Sequence, residues 1–233
     1  GRDLNADEFS FVLKDSKGKI IDTVKNAAGE DGAVTPFQFA DLSYTQSDIG
    51  DHSYTVSEET GSVGGVTYDT TIYNVTVKVS DDNKGKLSAT VTYGEGKTIA
   101  AFTNTYKPGS ASATVEGTKT LTGRTLKAGE FSFNLKNDDD KKPVVDDTVQ
   151  NAADGSFKFA SITYDTAGTY KYIVSEVKGT LGGVTYSEKK YNVVVTVTDN
   201  KDGTMSTAVD YGDGAATAAY TNTYKPTDTK ATI

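Results

Sequence analysis

The sequence predicts an all-β fold made of two tandem β-sandwich domains. The first observation behind this prediction is that one sequence pattern occurs twice along the 233 residues. Three segments of the first half return in the second half at nearly constant spacing: Phe9–Phe11, Tyr54–Glu58 and Phe102–Tyr106 return as Phe131–Phe133, Tyr172–Glu176 and Tyr220–Tyr224. A repeated unit of this length indicates a tandem array of domains.

The second observation is an alternation of period two, which places every second side chain on one face of a strand. It is clearest in Tyr73–Val79, Phe157–Phe159 and Tyr191–Val197. Turn sequences separate the predicted strands in order along the chain, at Asp15–Gly18, Asp82–Gly85, Asp154–Gly155, Gly182–Gly183 and Asp199–Gly203. Because no segment has an apolar stripe at helical spacing, each repeat is predicted to be an immunoglobulin-like sandwich of antiparallel strands.

The repeats set the predicted domain boundaries. Residues 1–108 form a sandwich that lacks its first strand, residues 109–226 form a complete sandwich, and residues 227–233 begin a further linker or repeat. Short polar segments with proline, Lys107–Ser112 and Lys225–Lys230, are the linkers. Each domain is long enough to bury its own core.

Composition excludes several functional classes. The net charge of −8 argues against binding to nucleic acid or to an anionic membrane. The chain has no cysteine, which excludes disulfides, thiolate metal sites and a thiol nucleophile, and no apolar run is long enough to span a bilayer. No cofactor is expected.

Three polar residues in the second repeat stand on predicted strands: Lys119 on the first, Glu176 near the end of a middle strand, and Asn222 on the last. Around them the sequence resembles the streptococcal pilin isopeptide-linkage domain, the module of FctA-type major pilins and related Gram-positive surface adhesins. The resemblance covers both repeats. It rests on Lys119–Arg124, Gly129–Phe133, Tyr172–Glu176, Gly183–Tyr186 and Tyr220–Tyr224.

The resemblance implies CnaB/FctA-type sandwiches in which a lysine and an asparagine join through a side-chain amide. By this resemblance Lys119 is the nucleophile, Asn222 the electrophile and Glu176 the catalytic acid. Burial would favour the neutral lysine that the attack requires. A protonated Glu176 is expected to donate a hydrogen bond to the carboxamide oxygen of Asn222 and to carry protons as ammonia leaves. Without the resemblance, a solvated lysine, a surface glutamate and a turn asparagine would be the simpler interpretation.

The first repeat keeps the acid Glu58 and the asparagine Asn104, but its lysine is missing. Gly1-Arg2 aligns with Gly123-Arg124, so the residue equivalent to Lys119 would fall before Gly1. Asn104 is therefore predicted to be an unpaired half of a crosslink, open to a first strand added in trans. The alternative is that the lysine strand is missing only because a boundary of the sequence falls there. Residues 231–233 match 113–115 and would begin the next repeat.

Other polar groups have simpler interpretations. His52 lies in a polar loop and is expected to be solvated rather than a metal ligand or general base. Two acidic turns, residues 81–83 and 199–202, carry oxygen ligands suited to calcium, but their spacing fits a hairpin turn better. No metal site is predicted.

The sequence therefore predicts a structural, non-enzymatic stalk segment of a Gram-positive cell-surface adhesin or pilus, with an adhesin stalk favoured over a pilin. Its crosslinking would be a single autocatalytic event. We expect an extracellular, cell-wall-anchored protein whose partners are neighbouring repeats and, through a distal domain, the host surface. The alternative is a module that itself binds host glycan or matrix protein, which the 14 tyrosines allow and the absence of tryptophan weakens.

Overall fold

The structure, a computed structural model, describes residues 1–232. It divides into two compact units, with the boundary between Pro108 and Gly109. Apart from two single turns of 3-10 helix, the regular structure of these residues is β-strand, and each unit is organised around a five-stranded antiparallel sheet. The predicted all-β fold of tandem sandwich domains is confirmed.

Domain 1 contains seven strands, and five of them form its main sheet in the order β2-β1-β3-β5-β6, whereas β4 pairs with β7 alone. The strands are β1 (Ser10–Asp15), β2 (Ile20–Lys25), β3 (Gly50–Glu58), β4 (Val66–Thr67), β5 (Ile72–Asp81), β6 (Leu87–Tyr93) and β7 (Thr105–Tyr106). The 3-10 turns are Gln46–Asp48 and Gly94–Gly96.

The described residues of domain 2 form eleven strands, in two larger sheets and one pair. The orders are β11-β10-β14-β16-β17, β12-β9-β18-β15 and β13-β8. The strands are β8 (Ala111–Ala113), β9 (Glu116–Thr122), β10 (Ser132–Asn137), β11 (Asp146–Gln150), β12 (Ser156–Lys158), β13 (Ile162–Tyr164), β14 (Gly168–Val177), β15 (Val184–Thr185), β16 (Lys190–Asp199), β17 (Met205–Asp210) and β18 (Ala218–Tyr224).

The period-two pattern explains how the sheets of domain 2 bury their inner faces. Along β16, Tyr191, Val193, Val195 and Val197 are buried while the residues between them are more exposed. The inward side chains of both sheets join a single hydrophobic core. Alternating strands with one apolar face can remove that face from water only by packing two sheets together.

The second strand of domain 2, β9, and its last strand, β18, lie side by side. β9 and β18 pair in parallel, with Lys119 opposite Tyr220 and Leu121 opposite Asn222. A parallel pair cannot be joined by a hairpin, so the chain between them forms the rest of the domain. Two strands that are far apart in the sequence of domain 2 are therefore neighbours in its sheet.

Domain 1 has no counterpart of this pair among its described residues. Its segment 36–45, which aligns with β12 and β13, has no strand assignment, and β7 is much shorter than β18. Both differences follow from strand pairing, because in domain 2 β9 is the partner of β12 and of β18. The fully buried core of domain 1 is correspondingly small.

A buried asparagine fixes the same loop in each domain. The Asn151 Oδ1 atom accepts a hydrogen bond from the Phe131 N–H at 2.9 Å, and its Nδ2 donates to the carbonyl oxygens of Lys127 and Ala152. Asn26 makes the equivalent bonds in domain 1. Each asparagine satisfies backbone groups that burial would otherwise leave unpaired.

Residues 227–232 follow β18 without regular structure. The predicted start of a further repeat includes Ile233, which lies outside the described residues.

Gly117 on β9 is predicted to be essential for packing in domain 2. A Cβ at this position would meet the Ala218 carbonyl oxygen and the Phe157 ring, each at 2.2 Å. We expect Gly117→Ala to lower the free energy of unfolding of domain 2 by about 1–3 kcal/mol, as overpacking does. Chemical denaturation followed by circular dichroism measures it, with Gly182→Ala as the control because Gly182 faces open space. Equal stability of the two variants would contradict the prediction.

Candidate functional site

Lys119 is held in the core of domain 2 by the alternation of β9. Val115, Gly117 and Leu121 point to the same buried side, and Lys119 takes its place in that row. Its side chain is 0% exposed. A lysine is almost never buried in this way without a partner, so the position demands one.

The partner is Glu176 at the end of β14. The Lys119 Nζ atom lies 2.6 Å from Glu176 Oε1, and the glutamate side chain is also 0% exposed. The ring of Phe131 covers the amine, with its centroid 4.4 Å from Nζ. Burial lowers the pKa of Lys119, and the hydrogen bond and charge of Glu176 oppose that change.

Asn222 reaches the same carboxylate from β18. Its Nδ2 donates a hydrogen bond to Glu176 Oε1 at 2.8 Å, and the residue is 1% exposed. One carboxylate oxygen therefore accepts hydrogen bonds from both Lys119 and Asn222. The structure brings together the three residues that the sequence singled out.

The backbone of Ser187 fixes the orientation of the Asn222 amide. The Ser187 N–H donates to Asn222 Oδ1 at 2.8 Å and to Glu176 Oε2 at 2.9 Å. Since a backbone N–H can only donate, the oxygen of the amide must face Ser187 and its nitrogen must face Glu176. The arrangement differs from the expected hydrogen bond between Glu176 and the carboxamide oxygen.

Domain 1 repeats this arrangement without a lysine. Asn104 Nδ2 donates to Glu58 Oε1 at 2.7 Å, and the Asp69 N–H donates to Asn104 Oδ1 at 2.8 Å and to Glu58 Oε2 at 3.2 Å. Burial raises the pKa of Glu58. Among residues 1–232, no strand lies beside Asn104 in the place that β9 takes beside Asn222.

Sequence reasoning missed the backbone donors of Ser187 and Asp69. Both follow a tyrosine in a repeated Gly-Gly-Val-Thr-Tyr segment, which is the signal that was available. The side chains differ while the N–H contacts are the same, so the backbone carries the interaction.

The remaining candidates have local partners. His52 Nε2 lies 2.7 Å from the Asp48 carbonyl oxygen and its ring lies against Tyr44. In the acidic turns, Asp199 and Asp202 accept backbone N–H groups within their own loop. Across the described residues no group of three or more His, Cys, Asp or Glu could hold a metal ion. No helix in that part of the chain has the length and apolar character needed to cross a membrane.

Comparison with solved structures finds streptococcal and lactobacillar pilus proteins. The major pilin from Streptococcus pyogenes is 20% identical, with 96% of this chain and 92% of that chain covered and a TM-score of 0.35. The C-terminal fragment of the pilus adhesin SpaC from Lactobacillus rhamnosus GG is 16% identical, with 100% and 95% covered and a TM-score of 0.30. No protein of curated function matches the chain significantly.

The profile of one protein family matches nearly the whole chain, once in each domain. The family is FctA, described as the Spy0128-like isopeptide containing domain, and the matched residues are 1–107 and 115–225. The two matches cover the Glu58 and Asn104 pair in domain 1 and all of Lys119, Glu176 and Asn222 in domain 2. The chain therefore belongs to the FctA family of Spy0128-like isopeptide-containing domains.

Proposed function

We propose that this chain is a structural stalk segment of a Gram-positive cell-surface adhesin or pilus, in which domain 2 is closed by an amide bond between Lys119 and Asn222. The observation that carries the proposal is the buried Glu176 Oε1 atom, which contacts both the Lys119 amine and the Asn222 amide nitrogen. Membership of a family of isopeptide-containing domains supports it.

The reaction begins with a proton transfer. Lys119 passes one proton from Nζ to Glu176, which leaves a neutral amine and a neutral carboxylic acid. The apolar surroundings favour this neutral pair over two buried charges. Burial lowers the pKa of Lys119, and a lower pKa makes the transfer of its proton to Glu176 easier.

The neutral Nζ then attacks Cγ of Asn222, and the carbonyl π electrons move to Oδ1. The Ser187 N–H already points at Oδ1 and stabilises this developing negative charge. Glu176 gives its proton to Nδ2, the Cγ–Nδ2 bond breaks, and ammonia leaves. The carboxylate takes the remaining surplus proton from Nζ, so the products are one secondary amide, one ammonia and a protonated Glu176.

This assignment gives Glu176 and Ser187 separate tasks. Glu176 contacts the two nitrogen atoms between which protons must move, whereas Ser187 contacts the oxygen on which charge develops. The reacting groups are held in place by parallel strands, and a single turnover needs no more than such positioning and modest proton transfer.

The mechanical consequence follows from the strand order. β9 lies near the start of domain 2 and β18 is its last strand, and the two are paired in parallel. A covalent link between them carries tension from one end of domain 2 to the other without loading the sheet in between. Such a segment is suited to an extracellular, cell-wall-anchored protein that joins neighbouring repeats and projects a distal domain toward a host surface. Its crosslinking is a single event, so the segment is not an enzyme.

The intact mass of the chain tests the amide bond directly. We expect the wild-type chain to be lighter than its calculated mass by one ammonia, because only domain 2 contains all three residues. Lys119→Ala, Glu176→Ala and Asn222→Ala should each restore the calculated mass. A wild-type chain of unmodified mass would contradict the proposal, and a loss retained in Asn222→Ala would place the bond elsewhere.

The role of the Ser187 N–H is tested by proline. Ser187→Pro removes the donor, and we expect crosslinking to slow by about 10²- to 10³-fold, as for the loss of one oxyanion donor. Ser187→Ala keeps the N–H and should react like the wild type. Mass spectrometry at intervals after purification gives the crosslinked fraction, and circular dichroism verifies that both variants are folded. Folded Ser187→Pro chains that react at the wild-type rate would disprove this role.

The effect on stability is expected to be large. The bond would close a loop of about 100 residues and so add about 4–5 kcal/mol to the free energy of unfolding of domain 2. The comparison variant is Lys119→Met/Glu176→Gln, which keeps the side-chain volumes and leaves no unpaired buried charge. Denaturant unfolding followed by circular dichroism measures the difference. A double variant as stable as the wild type would show that the bond is absent or contributes little.

A further inference from the structure

We infer that Tyr186 is a positioning residue for the proposed crosslinking reaction, and that the loop of residues 178–183 controls the rate of that reaction by holding the Tyr186 ring in place. The inference rests on the proposed amide chemistry of domain 2 and deepens it, because it assigns a role to residues that carry none of the reacting atoms. The loop joins β14, which carries Glu176, to β15, which leads directly to Tyr186 and Ser187.

The loop holds the Tyr186 hydroxyl on two sides. The hydroxyl oxygen accepts a hydrogen bond from the Leu181 N–H at 3.1 Å. A Cβ on Gly179 would lie 2.5 Å from the same oxygen and 3.0 Å from the ring carbon that bears it. Gly179 does not have a positive φ angle, so glycine is required here for the close approach of backbone and ring rather than for an unusual backbone conformation.

The ring of Tyr186 supports the cover over the lysine amine. It packs edge-to-face against Phe131, with the ring centroids 5.7 Å apart and the ring planes at 66°. Phe131 is 1% exposed, and its ring centroid lies 4.4 Å from Lys119 Nζ. Because aromatic contacts of this kind depend on geometry, a displaced Tyr186 would loosen the ring that keeps water from the amine.

The place of Tyr186 in the sequence gives it a second connection to the site. Ser187 follows it directly, and the Ser187 N–H donates to Asn222 Oδ1 and to Glu176 Oε2. That N–H belongs to the planar peptide unit that joins Tyr186 to Ser187, so the position of Tyr186 sets its direction. One anchored side chain therefore fixes both the cover of the nucleophile and the donor to the electrophile.

Solvent lies close to the site on this side. A surface cavity of about 480 Å³ is lined by Glu176, Tyr186 and Ser187, among other residues. The side chain of Glu176 is nevertheless 0% exposed. The wall that contains Tyr186 and Ser187 therefore separates the cavity from the carboxylate, and it preserves the apolar surroundings on which the proposed neutral pair depends.

The same anchor occurs in domain 1. The Tyr68 hydroxyl accepts a hydrogen bond from the Val63 N–H at 3.0 Å, and a Cβ on Gly61 would lie 2.5 Å from it. Tyr68 packs edge-to-face against Phe9 at 5.6 Å, and the next residue, Asp69, supplies the N–H donor of that domain. The other side chains of the loop differ between the domains, whereas the glycine, the backbone donor and the tyrosine are shared. These three features therefore carry the interaction.

Two alanine substitutions in the same loop test the inference. Gly179→Ala should displace the Tyr186 ring, and we expect formation of the bond between Lys119 and Asn222 to slow by about 10²-fold, as when reacting groups are misplaced by about 1 Å. Gly182→Ala faces open space and should react like the wild type. Chains recovered in denaturant before they react are refolded by dilution, and mass spectrometry follows the fraction that has lost one ammonia. Equal rates for the two variants would overturn the inference.

A second substitution should rescue the first. Tyr186→Phe removes the hydroxyl that collides with the new Cβ of Gly179→Ala, so the ring can return toward Phe131. We expect the double variant to react about tenfold faster than Gly179→Ala. Tyr186→Phe alone loses the hydrogen bond from Leu181 and should be slower than the wild type by less than about tenfold. Additive effects of the two substitutions would show that Gly179 does not act through Tyr186, which rejects the inference.

The pKa of Lys119 distinguishes positioning from a general loss of stability. It is measured by NMR titration of ¹³C-labelled lysine in Asn222→Ala chains, in which the amine stays free. Adding Gly179→Ala should raise this pKa, because a loosened Phe131 admits water and so reduces the burial that lowers it. Glu176 opposes the effect of burial in both chains. An unchanged pKa in chains that circular dichroism shows to be folded would overturn the inference.

Failure of this inference is distinguishable from failure of the proposed function. A wild-type chain that loses no ammonia rejects the proposed bond and the inference with it. A wild-type chain that loses one ammonia, at the same rate as Gly179→Ala, retains the stalk proposal and rejects the role of Tyr186.

Discussion

The buried contact among Lys119, Glu176 and Asn222 determines how domain 2 must be built. A charged or reactive lysine is tolerated in an apolar core only when an acid and a hydrogen-bonding network surround it. That network requires β14 to deliver the acid and β18 to deliver the amide on either side of the amine. The parallel pairing of β9 with β18, the close approach at Gly117 and the ring of Phe131 over the amine all hold Lys119 at this contact.

The described residues of domain 1 include no counterpart of β9, so domain 1 shows which of these features depend on that strand and which do not. The five-stranded sheet, the buried asparagine and the hydrogen bonds among Glu58, Asn104 and Asp69 are all present without it. The second sheet is not, because its strands pair through β9 in domain 2. The contact between acid and amide is therefore made by strands and loops that the two domains share.

Much of this structure could be predicted from the sequence, and the limits have physical causes. The period-two pattern identified strands such as β5 and β16, because side-chain alternation depends only on local sequence. The family resemblance identified Lys119, Glu176 and Asn222. The repeated Gly-Gly-Val-Thr-Tyr segment marked the position of Ser187, but not the role of its N–H, because every residue except proline carries the same donor and only tertiary structure orients it. The orientation of the Asn222 amide follows from that donor and was likewise hidden. The loss of strand structure in residues 36–45 depends on pairing between distant segments, which local patterns do not encode.

The two sites differ in the residue that follows the repeated Gly-Gly-Val-Thr-Tyr segment. In domain 2 it is Ser187, whereas in domain 1 it is Asp69, whose carboxylate is held by the N–H groups of Thr71 and Thr103. Burial is the main cause of the raised pKa of Glu58, and the negative charge of Asp69 adds to it. A carboxyl group with a raised pKa accepts a proton from an amine more readily but gives that proton to a leaving nitrogen less readily. The two sites therefore share one hydrogen-bond geometry, while the carboxylate of Asp69 adds a negative charge beside the acid in domain 1 that Ser187 does not add in domain 2.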